Sequence, residues 1–267
     1  MSKIFEVTFL GTNGSCAYNN SKRIKYGTNT ICCAVRAGNE VIILDAGTGL
    51  CGIVDLPDYD IEKINIFLSH YHLDHIEGLL FFPDLYEKKK TINIYGLGDV
   101  KKTLQDVIAP PLSPVGPEVF LADVRYFDVN HNTEIKLSDG VVVKSYELSH
   151  PGKCLAYRID YNGKSLCYCV DVELANHKDD MELINFCKDS DLLILDSSFE
   201  DGKVIPGWGH SSPGECAEFA RLANPKRLFL YHYNFHATDK DIDKMADSAR
   251  NIFPNTFTAE DAMDIRL

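Results

Sequence analysis

The stretch at 68–78, "LSHYHLDHIEG", places His70, His72, Asp74 and His75 within six positions at the end of an apolar run. Ile64, Ile66 and Leu68 alternate with Lys63, Asn65 and Phe67, the period of an extended strand running into His70. Residues two apart on extended backbone face the same way, so His70 and His72 converge on one point. Asp74 and His75 lie at the turn into a helix predicted over 75–86 and address a second point nearby. Packing does not account for four such side chains, because a buried polar group without a partner is costly. The H-x-H-x-D-H spacing therefore predicts a metal centre at a strand end.

The rest of the chain repeats the theme. Short β-rich runs, "KIFEVTFLG", "TICCAVRAG" and "EVIILDAG", end in Gly or Asp, and later ones include "TINIYG", "VRYFDV", "VVVKSYELSH", "CLAYRID" and "SLCYCVD". The continuous apolar run "DLLILDSS" predicts a strand buried on both faces. Ser212, Pro213 and Glu215 spell a helix start with a capping box, and Pro225 closes that helix. "RLFLYHY" reads as another strand and "DKDIDKMADSARNIF" as a last amphipathic helix. Strands and helices mixed throughout predict a layered α/β protein. At 267 residues with no tandem repeat or long linker, a single domain over 1–267 is expected. The segment "PPLSPVGPE" at 110–118 excludes regular structure and reads as a rigid surface loop, or as a lip over a pocket.

Charge and cysteine usage narrow the function. A net charge of -12 repels an extended nucleic acid and leaves room for a small anion whose site supplies its own cations. The first residues lack a signal-peptide pattern and no apolar run is long enough to span a bilayer, so a cytoplasmic protein without membrane contact is expected. The nine cysteines form no C-x-x-C pair. Cys32, Cys33, Cys167 and Cys169 read as small buried hydrophobes; Cys167 and Cys169 as metal ligands would need a second half-site.

The opening motif resembles the metallo-β-lactamase superfamily of binuclear hydrolases, and the likeness extends over most of the chain. It implies an α/β fold, a four-layer αββα sandwich, with two divalent cations at the strand ends. Nitrogen and oxygen donors suit zinc, and manganese or iron also fit them. Carried over by motif, His70 and His72 would bind one metal with His150 of "YELSHPG". Asp74 and His75 would bind the other with His232 of "RLFLYHY". Asp171 of "LCYCVDVE" would bridge the two, although Val172 stands where the family often has Thr or Ser. Asp45 of "DAGTGL" would orient the metal histidines. His236 competes with His232 but lies past the strand, near substrate. His131 and His177 read as surface residues.

"FLGTNGS", "YGTNT" and "GWGHSSPGECAEFARLANPKRLFLYHYNFHATD" are similar to the branch that holds tRNase Z and cyclic-nucleotide-phosphodiesterase-like proteins. By that resemblance Asp196 of "ILDSS" and His210 of "GWGHSS" form an acid–histidine pair that protonates a leaving oxygen, with Asp74 at the metals. "GTNGS" could offer N–H groups to a phosphate, and Trp208 could stack on a base. No exosite arm of the tRNase Z kind is recognisable. The leading expectation is therefore a phosphodiesterase that opens a small 3′,5′-cyclic nucleotide by attack of a hydroxide shared between metals. The alternative is a tRNase Z-like RNA 3′-processing endonuclease, or a hydrolase of another small ester. The resembling proteins are usually homodimers.

Overall fold

A computed structural model describes residues 4–56, 61–176 and 180–267. His177 lies outside the described residues. The first sheet is built from β1 (Phe5–Gly11), β2 (Cys32–Ala37), β3 (Glu40–Leu44), β4 (Lys63–Phe67), β5 (Thr91–Leu97) and β6 (Asp123–Val129). The second follows with β7 (Glu134–Lys136), β8 (Val142–Leu148), β9 (Cys154–Tyr161), β10 (Lys164–Cys169), β11 (Leu192–Asp196), β12 (Leu228–Tyr231) and β13 (Thr256–Thr258). The last strand, β14 (Met263–Arg266), returns to the first sheet beside β1. The orders are β14-β1-β2-β3-β4-β5-β6 and β13-β12-β11-β10-β9-β8-β7. In each sheet one run of four strands is parallel, β3 to β6 and β10 to β13. The helices are α1 (Leu73–Ile76), α2 (Val100–Val107), α3 (Met181–Cys187), α4 (Pro213–Ala223) and α5 (Asp239–Arg250).

Side-chain alternation builds the layers. On β11, Leu192 and Ile194 join the core between the sheets, while Leu193 and Leu195 face the cluster under α3, α4 and α5. β12 divides in the same way, Phe229 and Tyr231 inward, Leu228 and Leu230 outward. On β4, Phe67 joins the inter-sheet core, and Ile64 and Ile66 pack beneath Val100 and Leu104 of α2. Period two thus supplies both faces of each sheet with apolar side chains, and the expected αββα sandwich results.

Local chemistry marks several boundaries. α4 carries the expected capping box, with Ser212 Oγ accepting from Glu215 N and the Glu215 carboxylate accepting from Ser212 N. It stops at Asn224, whose φ is 54°. The helix expected over 75–86 is instead broken. One α-turn gives way to 3₁₀ turns at Leu79–Phe81 and Pro83–Tyr86. Gly78 explains the first break: a Cβ there would lie 2.0 Å from the carbonyl oxygen of Gly47, so the backbones touch. Pro83 explains the second, holding Phe82 in extended backbone. The 110–118 segment contains only a 3₁₀ turn at Pro117–Val119, as its prolines require. Cys167 and Cys169 are buried beneath α3, with Cys169 Sγ 3.5 Å from Cys187 Sγ.

Gly78→Ala should lower the free energy of unfolding by about 1–3 kcal/mol, the cost of forcing atoms into a packed contact. Gly52→Ala, where a Cβ would meet nothing within 4 Å, should change it by less than about 0.5 kcal/mol. Urea midpoints at constant slope measure both.

Candidate metal centre

Five of the expected site residues follow or end strands on one rim. Asp45 follows β3, His70 lies three residues past β4, Asp171 follows β10, Asp196 ends β11 and His232 follows β12. β4 stops at Phe67, so the histidines leave the sheet earlier than their alternation predicts. The carboxyl ends of parallel strands are where open α/β sheets form crevices. Here the two sheets bring two such ends together.

The imidazoles form two groups. Ligand-type atoms of His70, His72 and His150 lie within 4.8 Å of one another, as do those of Asp74, His75 and His232. Asp171 joins His70 and His75 in a third group and His232 in a fourth. Its Oδ2 is 2.9 Å from His75 Nε2 and 3.3 Å from His232 Nε2, while its Oδ1 is 4.0 Å from His150 Nε2. Asp74 Oδ2 is 3.5 Å from His75 Nε2 and 3.4 Å from His232 Nε2. The seven side chains expected from the sequence are therefore brought together in the expected two sets, with Asp171 between them.

The donor atoms fit a cation. Nε2 of His70, His75 and His232 and Oδ2 of Asp171 are buried without a hydrogen-bond partner. His150 Nε2 and His72 Nδ1 approach to 3.2 Å. The opposite ring nitrogens are engaged. His75 Nδ1 is 3.0 Å from Asp45 Oδ2, His232 Nδ1 is 2.9 Å from Ser198 Oγ, and His150 Nδ1 is 3.0 Å from the Gly209 carbonyl. A proton on each Nδ1 satisfies these bonds and leaves a lone pair on each Nε2 aimed into the cluster. Asp45 is itself fixed by Ser69 N and Oγ and by the Tyr168 hydroxyl, at 2.7, 2.8 and 2.9 Å. Burial opposes the charges of Asp74 and Asp171, but the histidines around them hold both carboxyls well below the usual range. No group of this kind among the described residues includes a cysteine.

The Asp196–His210 pair is also formed. Asp196 Oδ2 accepts from His210 Nδ1 at 2.5 Å, and its Oδ1 accepts from Ser198 N and Oγ at 2.9 and 2.8 Å. Burial works against a charge on His210, yet Asp196 first and Asp171 and Asp74 after it push its pKa up to about 9. His210 Nδ1 also lies 3.3 Å from Asp171 Oδ1, which sets the pair against the cluster.

Ser69, Ser198 and Glu173 were not marked by any spacing. Ser69 and Ser198 order the histidines. Gly14 lies against His232, where a Cβ would come within 2.4 Å of Nδ1, and Ser15 N donates to Asp74 Oδ2 at 2.6 Å. The latter bond occupies one N–H that "GTNGS" was expected to present to a phosphate. Glu173, buried, accepts from Gly207 N at 2.7 Å and Gly209 N at 3.3 Å. A pocket beside His150 is lined by Ser149, Pro151, Glu173, Asn176, Gly207 and Gly209, with no residue of 110–118. His236 is exposed in the loop after β12, packed on Tyr18 and Phe235. His131 is exposed and accepts from Glu147 N.

A family model described as the beta-lactamase superfamily domain matches residues 41–233. A ribonuclease Z from Archaeoglobus fulgidus is 24% identical, with 99% of this chain and 98% of that protein covered. The metallo-beta-lactamase fold protein YhfI from Bacillus subtilis superposes with a TM-score of 0.77 at 19% identity, covering 100% of both chains. The short form of human tRNase Z superposes with a TM-score of 0.69 at 22% identity, covering 97% of this chain and 98% of that one. The fold of these structures is the fold described above.

Asp45→Asn should weaken divalent-metal affinity by about 10–100-fold while leaving the circular dichroism spectrum intact, because an amide keeps only one of the two oxygens that accept from Ser69, Tyr168 and His75 and loses the negative charge beside His75. Chelator competition measures the affinity. A native value would deny Asp45 that role.

Proposed function

This chain belongs to the beta-lactamase superfamily and is a metal-dependent hydrolase, and from that premise we propose that it is a phosphodiesterase acting on a nucleotide phosphodiester. The observation that carries the reading is the His210–Asp196 pair, built against an otherwise complete ligand cluster. His70, His72 and His150 would hold one divalent cation; Asp74, His75 and His232 would hold a second, with Asp171 shared. When bound, two such cations, zinc being the best match to the donors, supply Lewis acidity toward phosphoryl oxygens and generate a nucleophile from water at neutral pH.

The chain's own residues would then do the following. His210, protonated and held at Nδ1 by Asp196, presents the rest of its ring toward the leaving oxygen; its side chain is 15% exposed. Proton transfer to that oxygen leaves the imidazole neutral, and Asp196 keeps its tautomer fixed. Ser198 ties Asp196 to His232, so the acid and one metal ligand are placed by the same hydroxyl.

As to the substrate, the near-complete cover of ribonuclease Z relatives favours RNA 3′ processing over the small cyclic nucleotide that the sequence places first. One observation favours the small substrate: the net charge of -12 disfavours a long polyanion. The alignment with the Archaeoglobus relative also runs to 317 positions, so that protein carries stretches without counterpart in these 267 residues. A 3′-extended tRNA precursor and a panel of 3′,5′-cyclic mononucleotides, assayed side by side with zinc- or manganese-loaded protein, separate the two. Cleavage of the precursor supports RNA processing, turnover of the cyclic nucleotides alone overturns it, and turnover of neither removes the nucleotide reading.

His72→Ala and Asp74→Ala should abolish metal loading and turnover together, as read by metal analysis after gel filtration. His210→Ala should keep its metal and lose about 10²–10⁴ in rate. Because the acid works protonated, the native rate should fall as pH rises through the His210 pKa, which bound cations shift below about 9. The His210→Ala variant should lack that alkaline fall, and a full-rate variant would sink the acid assignment.

A further inference from the structure

Trp208, the chain's single tryptophan, is 60% exposed on the loop that leads into His210. Singly exposed apolar side chains are ordinary, and Leu112, Phe81 and others are as exposed; what sets Trp208 apart is its place beside His210 and a backbone that is held in place. Gly207 and Gly209 on either side have φ of 81° and 77°, backbone that favours glycine. Both donate their N–H to the buried Glu173 carboxylate. The Gly209 carbonyl accepts from His150 Nδ1. The two glycines that flank Trp208 are thus both tied to the buried Glu173 carboxylate, and Gly209 is tied also to a metal-type histidine. The ring also continues an aromatic path out of the site. His232 stacks on His210 at 5.1 Å and 23°, His210 meets Phe199 at 6.0 Å, and Phe199 meets Trp208 at 6.4 Å.

We propose that Trp208 is a stacking platform for the nucleobase next to the scissile phosphate, displayed by the Glu173 clamp. The proposal rests on the phosphodiesterase reading above and adds what that reading lacks, a residue that recognises the nucleoside part of the substrate. A rigid loop lets the ring stack without first losing conformational freedom. Stacking is tolerant of base identity, so affinity rather than base choice is the property Trp208 controls. Mononucleotides and RNA share this chemistry, and the test separates them.

Because there is one tryptophan, its fluorescence reports on this ring alone. Adenosine 5′-monophosphate titrated into metal-loaded protein should quench the emission saturably, and ribose 5-phosphate should not. Trp208→Ala should weaken adenosine monophosphate binding about 5- to 100-fold by calorimetry and leave ribose 5-phosphate binding unchanged, whereas Trp208→Phe should retain most of the affinity. An RNA whose nucleotide beside the cleaved bond is abasic completes the set. If the platform takes a base of RNA, Trp208→Ala raises KM for intact RNA and not for the abasic one. If it takes a mononucleotide, only the monophosphate responds. Equal binding of the two monophosphates, binding of neither, or an unchanged affinity in Trp208→Ala overturns the platform. Metal-dependent hydrolysis of bis(p-nitrophenyl) phosphate is read in parallel: its presence with any of those results sinks the platform alone, and its absence sinks the phosphodiesterase reading beneath it.

Discussion

Three imidazole nitrogens and one carboxylate oxygen, on His70, His75, His232 and Asp171, are buried with no hydrogen-bond partner. Each such atom costs about 1–3 kcal/mol, against a net stability of about 5–15 kcal/mol for a whole domain. A fold that collects four of them at one point needs a ligand that repays the cost, and a divalent cation is the ligand these donors suit. Metal binding and folding are then coupled, since the unfolded chain holds no such cluster. The parallel strands whose ends carry the cluster and the turns that leave them both serve this convergence.

Convergence needs direction as well as proximity. The ring of acceptors outside the imidazoles provides it. Asp45, Ser198 and the Gly209 carbonyl each take one Nδ1, so the donors of His75, His232 and His150 are set by three different elements. Asp45 in turn is held by Ser69 at the end of the first sheet and by Tyr168 of the second. One carboxylate therefore ties the sheets together at the place where their ligands meet. Asp196 plays the corresponding part for His210 and Ser198.

The cluster from His70 to His75 was legible from spacing alone, because those residues are close in sequence. His150, Asp171, Asp196 and His232 were placed by the resemblance, since a polar residue at a strand end does not by itself mark a ligand or an acid. Of the residues that orient them, Asp45 was legible through the family motif and found at His75 Nδ1, but the others were not. Ser69 and Ser198 are ordinary polar neighbours of a ligand and a strand end, and Glu173 acts on backbone 34 and 36 residues away. Nothing in spacing reveals such contacts. The same holds for the break at Gly78, which is imposed by the Gly47 backbone rather than by helix propensity. The short strands β7, β13 and β14 and the helices α2 and α3 carry too few periodic positions to stand out. The resemblance to tRNase Z and cyclic-nucleotide phosphodiesterase-like proteins left the substrate open. The relatives shift the balance toward RNA without altering a single site residue.

The turns at the rim show how the site acts back on the backbone. Asp45, Asp171 and His232 each have a positive φ, 57°, 53° and 57°, a region that costs a non-glycine residue about 1–3 kcal/mol. Asp45 and His232 stand immediately after β3 and β12, and Asp171 stands one residue further on, after β10. A left-handed residue there turns the chain sharply out of the sheet, so the ladder ends and the side chain is left at the rim. Glycine would adopt the same φ without strain, yet it would remove the carboxylate or imidazole for which the turn exists. The strain persists because the groups are over-determined: Asp45 by three hydrogen bonds from Ser69 and Tyr168, His232 by Ser198, and Asp171 by the histidines on both sides. Local preference yields at the three positions where the two sheets must present chemistry, and elsewhere in these strands alternation and burial agree with the sequence.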